Sequence, residues 1–403
     1  MALALDGGNP VRRHDFPAWP YHDDTERAAL VRAVDQGQWW RVGGSEVTSF
    51  EAEFGEYHGG TTLAVTNGTH ALELGLELLG LKPGDEVIVP AFTFISTSIA
   101  VQRAGGVPVP ADVDPVTYCL DPQTLEAVRT PRTRVVIPVH MAGHVADMDA
   151  IGAWAARHDI VVFQDAAHAH GAVWSGRRIG DFGTLAAFSF QNGKLMTAGE
   201  GGALLLPSQE WFDEAFSRHS CGRPLGDTDY EHRSPSSNYR MTEFAGAVLR
   251  AQLARLAEQN ARRESRWKTL SAALREIPGV VPQGRDPRCD LNPHYMAMAA
   301  LDPAAHPGTD RDLVVKALVA EGIPAFVNYP PVYRTRAHEA LLGNGLPDTA
   351  ELAERNPVSE HLGANGFWLH HRVLLGTDAD CADVAEAVAK VLTELAGKKR
   401  SAR

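Results

Sequence analysis

Asp165 and Lys194 are the first residues that suggest chemistry. Asp165 closes a short apolar run, Ile160 to Phe163, with the length and content of a buried parallel strand. Open α/β sheets place ligands at the carboxyl ends of such strands. Lys194 follows in the loop Gln191-Asn-Gly-Lys-Leu-Met-Thr-Ala-Gly, just ahead of a second apolar run, Ala203 to Leu206. A lysine amine and a carboxylate at neighbouring strand ends suit pyridoxal 5′-phosphate. That cofactor needs a lysine to anchor its aldehyde and an acid to keep its ring nitrogen protonated. Singly, each residue reads as an ordinary surface ion; the pair and its setting carry the inference.

A sheet must deliver those two ends. Leu63–Thr66, Glu86–Pro90, Val107–Asp112 and Arg134–Val139 read as short buried strands. Helical patterns alternate with them: Ala71–Leu79, a segment ending at Arg103, and Asp121–Val128. That alternation predicts a mainly parallel, doubly wound α/β sheet. The turn Asn67-Gly68-Thr69 opens a helix, and free N–H groups there favour a phosphate; by itself such a turn is a weak signal and usually an ordinary capped turn. Further helices are predicted over Asp23–Gln36, Glu46–His58 and Ser208–His219. Phe244–Leu274 reads as a long amphipathic helix, or two, joining a large unit to a smaller one. Gly226–Ser237 has no periodicity and reads as a long loop.

The expected division is a large cofactor-binding domain, 1–277, with an N-terminal arm (Met1–His14), and a small α+β domain, 278–403. In the small domain a strand is predicted at His294–Met298, a helix at Arg311–Glu321, an aromatic loop at Asn328–Thr335 and a strand end at Phe367–Arg372. A closing helix, Asp380–Leu395, precedes a basic tail, Lys398–Arg403. His370 and His371 are adjacent on that strand end, so they should point to opposite faces and make a poor metal pair. No metal site is expected. The loop Trp39-Trp40-Arg41 lays aromatic area and a guanidinium either on a partner or on the protein itself, and both readings stay open.

The segments Asp165-Ala-Ala-His168-Ala-His-Gly and Phe188-Ser189-Phe-Gln-Asn-Gly-Lys194, followed by Gly199-Glu-Gly-Gly, resemble the DegT/DnrJ/EryC1/StrS sugar aminotransferases, fold-type I pyridoxal-phosphate enzymes. The Gln191-Asn-Gly-Lys194 form is similar to one branch, the 3-amino-5-hydroxybenzoate synthases of antibiotic pathways; many other members have His at position 191. The N-terminal Leu5-Asp-Gly-Gly-Asn-Pro-Val-Arg resembles sugar and cyclitol aminotransferases instead. The resemblance implies that Lys194 is catalytic and binds the cofactor. It implies Asp165 on the ring nitrogen, His168 on the ring hydroxyl, and Phe94 on the open face of the ring. Gly68, Thr69 and Ser189 would grip the phosphate, and Asn238 would reach the phosphate of a partner subunit. It also implies a homodimer with shared active sites and a possible dehydrogenase partner. The synthase branch needs a contact for a substrate carboxylate, for which Arg41, Arg223 and Arg334 are candidates, with Tyr333 beside them. The expected activity is dehydration and aromatisation of an amino-dehydroshikimate, with transamination as a second outcome that shares its first half. The alternatives are an L-glutamine- or L-glutamate-dependent keto-sugar or keto-cyclitol aminotransferase, and a non-catalytic partner or sensor of the same fold.

Bulk properties exclude other classes. A net charge of −12 argues against nucleic acid as the main partner. Four widely spaced cysteines give neither a disulfide framework nor a zinc pattern. No run of about 18 apolar residues spans a bilayer, and no signal-peptide core opens the chain, so a cytoplasmic enzyme is expected.

Overall fold

The computed structural model describes residues 2–339 and 346–401. The apolar runs form one seven-stranded sheet. Its strands are β1 (Thr61–Val65), β2 (Glu86–Pro90), β3 (Val107–Ala111), β4 (Thr133–Val136), β5 (Val161–Asp165), β6 (Leu185–Ser189) and β7 (Gly202–Leu206). They lie in the order β1-β7-β6-β5-β4-β2-β3. Neighbours from β3 to β6 pair parallel, and only β7 runs against its two neighbours. Val87, Ile88 and Val89 are all fully buried, so both faces of the sheet are covered, as parallel strands require.

Helices α1 (Asp24–Gln36), α2 (Glu46–His58), α3 (Gly68–Leu79) and α4 (Ser96–Arg103) precede or alternate with the early strands. Helix α3 lies close on the sheet because Gly75 has no side chain; a Cβ there would strike the Phe163 ring. The long segment is a single helix, α5 (Glu243–Arg275), of 33 residues. Its first residue does a second job: the Glu243 carboxylate accepts the N–H groups of Glu46 and Val47 at 2.6 and 3.2 Å, capping α2. Ser45, the residue in capping position, makes no side-chain bond there.

Beyond α5, four antiparallel strands form a second sheet in the order Val280–Pro282, Met296–Leu301, Gly366–His370, Ala325–Val327. The closing helix α6 (Asp378–Ser401) packs on it and starts earlier than the pattern suggested. Ala402 and Arg403, the last residues of the expected basic tail, lie outside the described residues. The N-terminal arm is anchored on these C-terminal elements. Leu3 and Phe16 enter their core, and the buried Glu321 carboxylate accepts the N–H groups of Ala4 and Val11 and pairs with Lys390 at 2.8 Å.

Two sequence expectations are corrected, and three helices come in addition. Asp121–Val128 is a short 3-10 turn and a single helical turn, not a full helix. A helix at Met148–His158, capped by Asp147, was not anticipated, nor were Thr349–Arg355 and Pro357–Asn365. His370 and His371 do not face opposite ways: the strand ends at His370, a 3-10 turn begins at His371, and the rings lie 4.4 Å apart. Among the described residues no cluster of metal-ligating groups exists, and no helix is long and apolar enough to cross a membrane.

Candidate active site

The carboxyl ends of β5 and β6 open into a cleft of about 590 Å³, an ordinary size for a small-molecule site. Asp165 and Lys194 both line it. Asp165 is buried; its Oδ2 accepts the Thr97 hydroxyl at 2.8 Å and its Oδ1 the Ala167 N–H at 3.2 Å. Burial pushes this carboxyl above the ordinary range in spite of those donors and of Lys194. A cationic ring nitrogen placed against it would relieve that burial cost.

Lys194 sits in a tight turn. Its own N–H donates to the Gln191 carbonyl, and the Gly193 N–H donates to Gln191 Oε1, both at 2.8 Å. Its Nζ lies 4.2 Å from the centre of the Tyr295 ring. His168 stacks on the same ring at 4.3 Å. Burial, with Lys194 adding to it, holds His168 neutral. The Ala142 N–H donates to its Nδ1 at 3.3 Å, which leaves Nε2–H as the donor of a residue that lines the cleft.

The opposite end of the cleft is built for an anion. Gly68 and Thr69 begin α3, where the first backbone N–H groups have no partner within the helix. Asn67 caps the helix by accepting the His70 N–H at 2.8 Å. Ser189, at the end of β6, packs against the helix start; a Cβ on Gly68 would come within 2.6 Å of the Ser189 Cβ. Gly68→Ala should therefore weaken pyridoxal-phosphate binding by about 10- to 100-fold, since such overpacking costs about 1–3 kcal/mol. Spectrophotometric titration of the cofactor-free protein measures this. Phe94, half exposed, stands at the rim edge-on to Tyr329 at 5.7 Å. The donor set thus matches the cofactor at each end: acid for the ring nitrogen, amine for the aldehyde, N–H groups and a hydroxyl for the phosphate.

A larger groove of about 840 Å³ lies between α1, α2 and α5. It has no lysine or histidine, and its Arg250 is already paired with Glu46 and Glu53.

The four substrate contacts suggested for the chain do not line this cleft. Arg41 is buried in a two-bond pair with Glu51 at 2.6 and 3.1 Å and faces the Phe216 ring. Burial pushes the Glu51 carboxyl up even so. Arg41→Met should cost about 3–5 kcal/mol by leaving Glu51 buried without its cation, with the Ala64 N–H still donating to it at 3.0 Å. Urea denaturation tests this, and the folded fraction should keep its KM. Arg223 pairs with Asp227 at 2.8 Å beneath the Tyr230 ring. Arg334 pairs with Glu360 at 2.7 Å, and the wholly buried Tyr333 donates to the same carboxylate at 2.7 Å. Asn238 is exposed and lies outside the cleft of its own chain, its Oδ1 taken by the Arg240 N–H at 3.2 Å. Of the Trp pair, Trp39 leans on Phe244 and Trp40 on Arg240, yet both stay half exposed. Sequence reasoning missed Thr97, Tyr295, Tyr329 and Glu200. Thr97 had a signal, standing one turn beyond Phe94 in a Thr/Ser-rich helix start.

A mainly parallel sheet with a lysine beyond one strand and an acid ending the next defines a fold-type I pyridoxal-phosphate-dependent enzyme, as its structural relatives bear out. The chain belongs to the DegT/DnrJ/EryC1/StrS aminotransferase family, whose model matches residues 21–389. It is 53% identical to the 3-amino-5-hydroxybenzoate synthase of Amycolatopsis mediterranei (strain S699), over 94% of this chain and 98% of that protein. A crystal structure of 3-amino-5-hydroxybenzoic acid synthase superposes with a TM-score of 0.90 at 52% identity, covering 96% of this chain and all of the other. The L-glutamine:2-deoxy-scyllo-inosose aminotransferase of Streptomyces kanamyceticus is 35% identical over 97% of this chain and 96% of its own length.

Proposed function

We propose that this enzyme dehydrates an amino-dehydroshikimate and aromatises it to 3-amino-5-hydroxybenzoate, in secondary metabolism of the antibiotic type. The observation that carries the reading is 53% identity along nearly the whole of a synthase, with Lys194 and Asp165 lining one cleft.

When bound, pyridoxal phosphate supplies an aldehyde that takes up the substrate amine and a ring that accepts an electron pair from the adjoining carbon. Asp165 would hold the ring nitrogen protonated, with Thr97 fixing the carboxylate. Nε2–H of the neutral His168 would donate to the ring oxygen. The Gly68 and Thr69 N–H groups and the Ser189 hydroxyl would hold the phosphate, and Phe94, at the rim, would shield the ring from water. Lys194 Nζ takes the proton from the amine-bearing carbon and is placed to return one to the departing hydroxyl. Among the described residues no arginine lines this cleft, so we assign the substrate carboxylate to a group from a second copy. The homodimer is supported by exposed Asn238 and by half-exposed Trp39 and Trp40, two surface segments bridged at Trp40 and Thr242.

We divide the chain into a large unit, 1–277, and a small one, 278–403. The four-stranded sheet lies wholly in the second, although the arm packs on that second unit as well. Four unpaired thiols support a cytoplasmic enzyme. The second reading, transfer of an amino group from L-glutamine to a keto-cyclitol, is favoured by the 35% identical aminotransferase. A dehydrogenase that makes the ketone is the partner it calls for. One experiment separates the two. With amino-dehydroshikimate alone, the synthase gives an aromatic absorbance and a product lighter by one water. No product there, together with amino-cyclitol formation from glutamine and ketone, would overturn the first reading in favour of the second.

A further inference from the structure

Lys194 is reached from both ends of the chain. Its turn is shaped internally by Gln191, but those bonds attach it to nothing outside the loop. Two side chains do attach it. The Trp19 indole N–H donates to the Asn192 carbonyl at 3.1 Å. The His371 Nε2–H donates to the Gly193 carbonyl at 3.1 Å. The two rings meet edge to face, 4.4 Å apart and 85° inclined, so each holds the other. Trp19 comes from the segment before α1, and His371 from the turn after the last strand of the second sheet.

We propose that Trp19 and His371 are positioning residues for Lys194, a latch that fixes the carbonyls of the two residues immediately before it. The proposal rests on the reading of Lys194 as the cofactor-bearing base. Four observations support it. His371 is buried, and burial together with the nearby Arg263 cation keeps its ring neutral. Its Nδ1 has no partner among the described residues, so Nε2–H is the one useful donor and the tautomer is set by the Gly193 carbonyl. Arg263 itself is wholly buried; among the described residues it donates to the amide oxygens of Asn260 and Gln259 and meets no carboxylate, and its guanidinium lies 5.4 Å from the Trp19 ring centre. A cation buried without a carboxylate is costly, and the indole face offsets part of that cost. On the cleft side, Tyr295 lies between His371, at 6.1 Å, and the Lys194 amine, at 4.2 Å.

The physical role follows from the length of a lysine. Four rotatable bonds leave Nζ a wide range unless the backbone is fixed, and a misplacement of about 1 Å in a reacting group costs on the order of 100-fold. The phosphate cradle and Asp165 belong to other elements, so loosening the latch should slow proton transfer without loosening cofactor binding.

The test compares His371→Leu, His371→Gln and Trp19→Phe. In the cofactor-free protein, amide hydrogen exchange is followed by mass spectrometry on the peptide covering residues 190–198. His371→Leu and Trp19→Phe should exchange that peptide about 10-fold faster, whereas His371→Gln, which keeps an N–H donor, should match the parent. In the loaded enzyme with amino-dehydroshikimate, His371→Leu should lower kcat by about 10- to 100-fold with KM within about twofold. The deuterium isotope effect for the labelled amine-bearing carbon should rise. The latch is overturned if exchange and kcat in His371→Leu match the parent while only Tm falls, or if Gln is as impaired as Leu. Should His371→Leu fail to fold, Trp19→Phe decides: parental exchange overturns the proposal, faster exchange upholds it. A wild-type protein with no cofactor adduct on Lys194 would remove the underlying reading, and the exchange result would still judge the latch alone.

Discussion

Lys194→Ala is expected to retain pyridoxal phosphate and yet turn over at least about 10⁴-fold more slowly than the parent. Two functions leave with one side chain. The covalent anchor goes, and so does the base that moves the proton at the amine-bearing carbon; a positioned base alone contributes about 10²- to 10⁴-fold. The remaining contacts are on other elements: Asp165 ends β5, Ser189 ends β6, and Gly68 and Thr69 start α3. Cofactor should therefore still be held, now removable by dialysis. Stopped-flow absorbance and product mass measure both outcomes. A residual rate within about tenfold of the parent would place the base elsewhere.

Asp165→Asn is the second large effect, and it has opposite signs with and without cofactor. Loaded enzyme should lose about 10²- to 10³-fold in kcat, the scale of removing one preorganised electrostatic partner from a buried site. The amide still accepts the Thr97 hydroxyl but no longer holds a proton on the ring nitrogen. Cofactor-free protein should behave otherwise. Burial raises the folded-state pKa of Asp165, so between the ordinary carboxylate range and that raised value the folded state binds more protons than the unfolded chain. Stability contributed by the neutral carboxyl is present at low pH and lost as pH rises through that window. At pH 7 the Asn variant, never ionised, should melt no lower than the cofactor-free parent. Calorimetry at pH 4 and pH 7 reads this directly; an Asn variant that melts well below the parent at pH 7 would mean the carboxylate is stabilised by something other than the cofactor.

The chemistry was legible in the sequence because its signals are local. An acid closing an apolar run, a lysine in a Gly-rich loop and a small-residue turn before a helix each occupy a few adjacent positions, and the structure brings all three to one cleft. What was not legible depends on distant partners. Arg41, Arg223 and Arg334 looked free for a substrate carboxylate, but Glu51, Asp227 and Glu360 already hold them. Thr97 bonds an acid 68 positions away, and Trp19 a carbonyl 173 positions away. The helix Met148–His158 was overlooked although Asp147 caps it and Ile151, Trp154 and Ala155 form its buried face. The opposite error, a helix at Asp121–Val128, came from a good start, Asp121 before Pro122, that continues for only one helical turn.

Borohydride reduction of the yellow holoenzyme, followed by digestion and peptide mass mapping, addresses the central claim most directly. A phosphopyridoxyl group should appear on the peptide that contains Lys194, and in the Lys194→Ala protein it should be absent from every peptide. Finding the group on another lysine, or on none while the protein remains active, would contradict the assignment of Lys194 and the site built around it.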